Sequence, residues 1–164
     1  MFDACHAPVH RYVLRRCGDP DLADDVVADV FLAAWRGLER VPDDALPWLF
    51  NTARGALSNH RRGARRRAAL HSAVEAQALI AAQGEPVPDR ALLEALAELG
   101  DAAREALLLV AWEGLDRRRA ARAMGCTQAA FAARLHRARR RLSALLEAPR
   151  SGPAPIHLPV KESR

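Results

Sequence analysis

Residues 114–141 read GLDRRRAARAMGCTQAAFAARLHRARRR, and the fold of the chain follows from how that stretch divides. Leu115, Ala120, Ala121 and Met124 recur at helical spacing, and Gly125 stands where a helix can end in a left-handed conformation. Thr127 is placed to cap a second helix through its hydroxyl, and Phe131, Leu135, Ala138 and Leu142 give that helix one apolar stripe. Gln128, Arg134, Arg137, Arg139, Arg140 and Arg141 load its other face. Two helices around a short glycine turn, the second strongly cationic, form the pattern of a helix-turn-helix. Such a helix fits a major groove with its first turns on bases and its later arginines on phosphates. The same pair also occurs as plain packing, and an arginine run also serves as a solvated face.

Outward from this stretch, composition sets the class. The chain has 164 residues, half of them hydrophobic, enough for one domain or two small ones. Glycine and proline punctuate alanine- and leucine-rich runs and β-branched residues are few, which predicts an all-α fold. The formal charge is +5, and Lys161 is the only lysine. A GC-rich genome raises arginine abundance but does not explain clustering. Acid gathers at Asp19, Asp21, Asp24, Asp25 and Asp29, whereas base gathers at Arg61, Arg62, Arg65, Arg66 and Arg67, at Arg117, Arg118 and Arg119, and again along residues 134–141. Charge sorted in this way suits more than one charged partner.

Cys5, Cys17 and Cys126 are widely spaced and no signal peptide precedes them, so the expectation is a reducing cytoplasm without a disulfide framework. No apolar run is long enough to cross a bilayer, so no membrane insertion is expected. Cys5, His6, His10 and Cys17 admit a zinc reading, since the histidines are four apart on a possible helix. Their spacing matches no paired-ligand zinc signature, and flanking or core positions on a first helix account for them; no metal and no cofactor is expected.

A first block covers residues 1–67. Gly18, Asp19 and Pro20 end one helix and start the next, with Asp19 as N-cap and Pro20 at the first helical position. The second helix, Pro20–Arg36, is expected to bury Leu22, Val26, Val30 and Phe31, with Val27, Ala34 and Trp35 close by. Asp21, Asp25 and Asp29 repeat every four residues and form an acidic stripe, which fits either a solvated face or a docking surface for a basic partner. After a polar loop over residues 38–44, a third helix begins near Ala45, with Asp44 as its N-cap and Leu49, Ala53, Ala56 and Leu57 facing inward. Asn51, Arg54, Asn59, His60, Arg61 and Arg62 face outward, a set able to hold phosphates and unpaired bases. Trp48 and Phe50 serve either as core or as stacking platforms. Residues 68–89 read as a flexible linker with a short helix over residues 74–82; a second block spans residues 90–148; the proline-rich residues 149–164 read as a disordered tail.

In this order the motifs resemble the extracytoplasmic-function (ECF) sigma factors, minimal bacterial transcription initiation factors of the sigma-70 family. Asp24 to Trp35, followed by Pro47-Trp48-Leu49 and Ala53-Arg54, resembles region 2. Residues 99–142, above all Glu113-Gly114-Leu115 and Arg134 to Arg139, resemble region 4. The resemblance implies two small helical domains, one of three or four helices and one a helix-turn-helix, joined by the linker. It implies partners: RNA polymerase core, through its β′ clamp helices and β flap; promoter DNA; and an anti-sigma factor. Core docking would fall on Asp21, Asp25 and Asp29. Recognition and melting of the −10 element would fall on the loop after the second helix and on Asn51, Arg54, Asn59, His60, Arg61 and Arg62. Reading of the −35 element would fall on Thr127, Gln128, Ala129, Arg134, Arg137 and Arg141. No catalytic residue is implied. The chain departs from the family pattern at Ala28, where glutamine is usual, and at Ala129, Ala130 and Ala132, which leave the recognition helix short of base-reading side chains.

Two other classes fit parts of this sequence. A helix-turn-helix regulator that recruits no polymerase leaves the acidic stripe unexplained, and a small zinc enzyme rests on the Cys5, His6, His10, Cys17 set alone.

Overall fold

The computed structural model describes residues 2–68 and 90–147, with side chains through residue 63 in the first span. These residues form α1 (Phe2–Cys17), α2 (Pro20–Arg36), a 3-10 turn (Leu38–Arg40), α3 (Ala45–Ala68), α4 (Arg90–Ala97), α5 (Asp101–Ala111), α6 (Arg117–Ala123) and α7 (Gln128–Glu147). No strand occurs among the described residues. The linker beyond Ala68, the short helix expected over residues 74–82 and the proline-rich tail lie outside them.

Helix ends follow their local chemistry. The Asp19 carboxylate accepts from the amides of Asp21 at 3.0 Å and Leu22 at 3.3 Å, with Pro20 at the first helical position, where it forfeits no hydrogen bond. Asp116 caps α6 through the Arg119 amide at 2.8 Å, and the Thr127 hydroxyl accepts from the Ala130 amide at 3.2 Å to start α7. Between them Gly125 adopts φ 62°, its amide bonded to the Arg122 carbonyl and that of Cys126 to the Ala121 carbonyl. This paired closure needs a left-handed residue, and glycine adopts that conformation without a Cβ clash. The α6–α7 turn is therefore sharp and fixed, as a helix-turn-helix requires. Arg104 adds a clasp that periodicity does not announce: its guanidinium donates to the carbonyls of Leu96, Ala97 and Leu99 and satisfies the open end of α4.

α1, α2 and α3 pack on one another around Val9, Tyr12, Val13, Val26, Val30, Leu49, Phe50 and Ala53. α5, α6 and α7 pack around Leu109, Leu115, Ala120, Phe131, Leu135 and Ala138, with α4 against α7. The two sets are not separate. α3 packs against α6, and the buried residues of both halves form one continuous cluster.

Two expectations about the first half are corrected. Trp35 is 78% exposed, because the buried stripe of α2 runs through Ala23, Val26, Val27, Val30 and Ala34 and leaves Trp35 beyond its edge, while Leu22 and Phe31 are only half-buried. Asp44, expected to cap α3, directs its carboxylate oxygens to Arg119 and Arg122 in the other half. Two guanidinium partners outcompete a single backbone donor for one carboxylate.

Candidate nucleic-acid interface

The acidic stripe lies on the outer face of α2, with Asp21, Asp24, Asp25 and Asp29 all exposed. Each like-charged pair at this spacing costs the helix about 0.2–0.5 kcal/mol, a cost that the positive start of the helix offsets at Asp21 in its first turn. Histidines from the neighbouring helices approach its edges: His10 Nε2 lies 3.1 Å from Asp24, and His60 Nε2 lies 3.6 Å from Asp29.

The polar set on α3 is divided among several surroundings. Asn51 accepts from Arg54 at 2.9 Å, and Arg54 also donates to the Met124 carbonyl at 3.1 Å. A Cβ at Gly125 would lie 3.7 Å from the Asn51 amide group, so the helix-turn-helix turn rests directly on this part of α3. Arg61 donates to the Arg16 carbonyl at 2.8 Å, His60 faces Asp29, and Arg62 is held by Ser58 and Asn59.

On α7, Gln128, Ala129, Arg137, Arg139, Arg140 and Arg141 are exposed, and Thr127 caps the helix. Arg134 is half-buried with its guanidinium 3.7 Å from the Cys126 sulfur, so it sits closer to the turn than its neighbours. The Phe131, Leu135, Ala138 stripe fixes the rotation of α7 and thereby turns these arginines to solvent.

Between the halves lies a buried polar cluster that sequence periodicity missed. Tyr12 donates its hydroxyl to Glu105 at 2.8 Å, and Arg16 donates to Glu105 at 2.9 and 3.1 Å, to Glu113 at 2.9 Å and to the Tyr12 carbonyl at 2.9 Å. The Arg16 guanidinium also lies 3.4 Å from the Tyr12 ring centroid, and Tyr12 stacks on Phe50 at 4.3 Å. Arg15 approaches Glu113 at 3.5 Å and the Trp112 ring at 5.6 Å. The Arg16 and Glu113 side chains are each 6% exposed. Burial raises the Tyr12 phenol well above its usual pKa, with Glu105 adding to the rise and Arg16 opposing it. Burial works against the Arg16 charge, but Tyr12, Glu105 and Glu113 more than offset that and hold its pKa above the ordinary value. A signal for this cluster was present: Arg16 shares a helix face with Val9, Tyr12 and Val13, and Glu105 shares one with Leu109, and a charge on a buried face requires a partner.

No group of three histidine, cysteine, aspartate or glutamate side chains among the described residues could hold a metal ion. His6 instead stacks on Phe31 at 5.8 Å and on His10 at 6.2 Å. No described helix is long and apolar enough to cross a membrane.

The family model Sigma-70 region 2 matches residues 1–67, and that for Sigma-70, region 4 matches residues 89–142. The ECF RNA polymerase sigma factor SigL of Mycobacterium tuberculosis is 32% identical over 154 residues, covering 90% of this chain and 87% of that protein. The chain belongs to the extracytoplasmic-function sigma factors. The RNA polymerase sigma factor CnrH of Cupriavidus metallidurans is 34% identical to this sigma factor over 161 residues, covering 88% of the chain and 84% of the relative. Among solved structures, the sigma factor RpoE in complex with the anti-sigma factor NepR from Bartonella quintana superposes with a TM-score of 0.69 at 25% identity, over 91% of this sigma factor and 96% of that chain. The sigma factor is thus a transcription initiation factor of all-α architecture, and the helix-turn-helix read from residues 114–141 sits in its region 4.

Proposed function

We propose that this sigma factor binds RNA polymerase core in the cytoplasm and directs it to promoters, doing no chemistry of its own. Asp21, Asp25 and Asp29 dock on the β′ clamp helices, and region 4 meets the β flap. Asn51, Arg54, Asn59, His60, Arg61 and Arg62, with the loop over residues 38–44, take the −10 element and hold its separated strand. Thr127, Gln128, Ala129, Arg134, Arg137 and Arg141 meet the −35 duplex. An anti-sigma factor is a further partner. The domain division follows the same reading: residues 1–67 for core docking and the −10 element, 68–89 as linker, 90–148 for the −35 element, and 149–164 as tail.

The observation that carries this reading is the sorting of exposed charge. The aspartates of α2 face solvent on one element and the arginines of α7 face solvent on another, so one small chain presents an anionic surface to a protein and a cationic one to DNA. With three alanines near its start, α7 reads bases through few side chains and depends more on phosphate contacts and groove shape.

Co-purification with core polymerase and run-off transcription from the promoter upstream of its own gene test the proposal. The wild-type chain should bind core stoichiometrically and yield a defined transcript. Asp25→Arg with Asp29→Arg should lose core binding by at least about tenfold while region 4 stays folded. Unchanged core binding in that variant would remove α2 from the docking surface.

A further inference from the structure

On α3, Asn51-x-x-Arg54 recurs eight residues later as Asn59-x-x-Arg62, and both copies make the same contact. Asn51 accepts from Nη2 of Arg54 at 2.9 Å, and Asn59 accepts from Nη2 of Arg62, whose Nη1 donates to Ser58 at 2.9 Å. An amide oxygen three residues back fixes the plane of a guanidinium and, being neutral, leaves its charge whole; a carboxylate there would cancel it. Both arginines are exposed, and eight residues set them about 12 Å apart along the helix axis. Ordering a long exposed side chain is a cost of binding, and it is reduced for one already held.

Between the two pairs the helix surface is bare. Gly55 lies one turn after Asn51 and one turn before Asn59 on the same face, and it is exposed. Its φ is not positive, and a Cβ there would meet nothing within 4 Å, so neither the backbone nor a neighbour among the described residues calls for glycine. Glycine inside a helix is less stable than alanine. The fold therefore loses stability at Gly55 without gaining packing, whereas a strand laid along α3 between the two arginines gains close approach to the helix backbone.

We infer that α3 holds a DNA strand with two preset phosphate clamps, Arg54 positioned by Asn51 and Arg62 positioned by Asn59, and that the strand crosses bare helix backbone at Gly55 between them. The asparagines are positioning residues and act through their arginines. The inference rests on the reading of α3 as a DNA surface. Arg54 also bonds the Met124 carbonyl, whereas Arg62 bonds within α3 among the described residues, so the second clamp is the one to perturb.

The test uses the full chain and a mixed-sequence single-stranded DNA of about 20 nucleotides, followed by fluorescence anisotropy between about 0.05 and 0.2 M salt. Arg62→Gln should flatten the slope of log affinity against log salt by about 0.7, the counterion release of one phosphate on a single strand. Asn59→Ala should lower affinity about threefold with that slope unchanged, because the charge stays and only its orientation is lost. In an Arg62→Gln background the same Asn59→Ala change should have no effect. Gly55→Leu should raise the urea midpoint and yet lower affinity about tenfold, two readouts that a purely structural glycine would move together. Full affinity in Asn59→Ala, a loss that survives removal of Arg62, or full affinity in Gly55→Leu would each overturn the inference, and α3 stays a DNA surface if Arg54→Gln with Arg62→Gln still weakens binding. Wild-type affinity and slope in that double-arginine variant would instead discard α3 as a DNA surface, and the clamps with it.

Discussion

Replacing Glu105 by methionine tests the buried cluster directly. The Glu105 carboxylate accepts from Tyr12 at 2.8 Å and from Arg16 at 2.9 and 3.1 Å, with the Arg16 side chain 6% exposed. The substitution strips two donors of a buried guanidinium and the Tyr12 hydroxyl of their acceptor. Breaking a fully buried pair costs about 3–5 kcal/mol. Glu113 still holds Arg16 at 2.9 Å, so the lower end applies and the expected loss is about 3 kcal/mol. Pairing it with Arg16→Met removes the stranded cation as well, and Glu113 keeps Arg15 at 3.5 Å. The double variant should then lie within about 1.5 kcal/mol of wild type, the remainder reflecting the orphaned Tyr12 hydroxyl. Urea unfolding of the full chain reads these values from the midpoint and slope. Costs that simply add, with the double variant worse than either single one, would refute the cluster as a coupled ionic unit.

Tyr12→Phe should lower stability at neutral pH by about 1.5–2 kcal/mol through loss of a hydrogen bond to a carboxylate. Because burial raises the phenol pKa in the fold, the protonated form supplies stability that is full below about pH 10 and declines as pH rises beyond it. Tyr12→Phe should flatten that alkaline decline, and phenolate absorbance follows the group without ambiguity since the chain has one tyrosine. Phe131→Ala, at a fully buried position between α7 and its neighbours, should cost about 3–5 kcal/mol in the same urea experiment; a cost under about 1 kcal/mol would mean α7 is not fixed by that ring. On the proposed DNA role, Arg137→Ala should reduce the slope of log affinity against log salt by about one for promoter duplex, and an unchanged slope would take Arg137 off the phosphate list.

Local chemistry made the helices legible in the sequence. Asp19 before Pro20, Gly125 before Cys126 and Thr127, and the spacing of Phe131, Leu135 and Ala138 each act within a few residues, so a linear reading captures them. Trp35 falls outside the core because the buried stripe of α2 is narrower than its run of apolar residues, and aromatic character does not say which edge of that stripe a side chain occupies. The seam was invisible for another reason. Arg16 and Glu105 are 89 residues apart, and Asp44 and Arg119 are 75 apart, so their pairing depends on how two finished helical units meet. Arg119 stands out in the sequence as a member of a basic cluster and Asp44 as a helix cap, while Arg16 and Glu105 belong to no cluster; the partners of all four belong to tertiary complementarity. The candidate site was legible as a list of residues and not as a layout: Asn51 and Arg54 share a surface with the turn after α6, while His60 sits with Asp29.

The three tryptophans sit in dissimilar surroundings. Trp35 stands in water, Trp48 is half-sunk at the start of α3, and Trp112 lies beneath the Arg15 guanidinium where the halves meet. A cation held over an indole ring perturbs its emission, and withdrawing that cation reverses the effect. The molecule thus carries its own optical gauge: with Trp35 and Trp48 replaced by phenylalanine, the remaining fluorophore would report separation of regions 2 and 4 in real time, without a dye and without touching the aspartates of α2 or the arginines of α7.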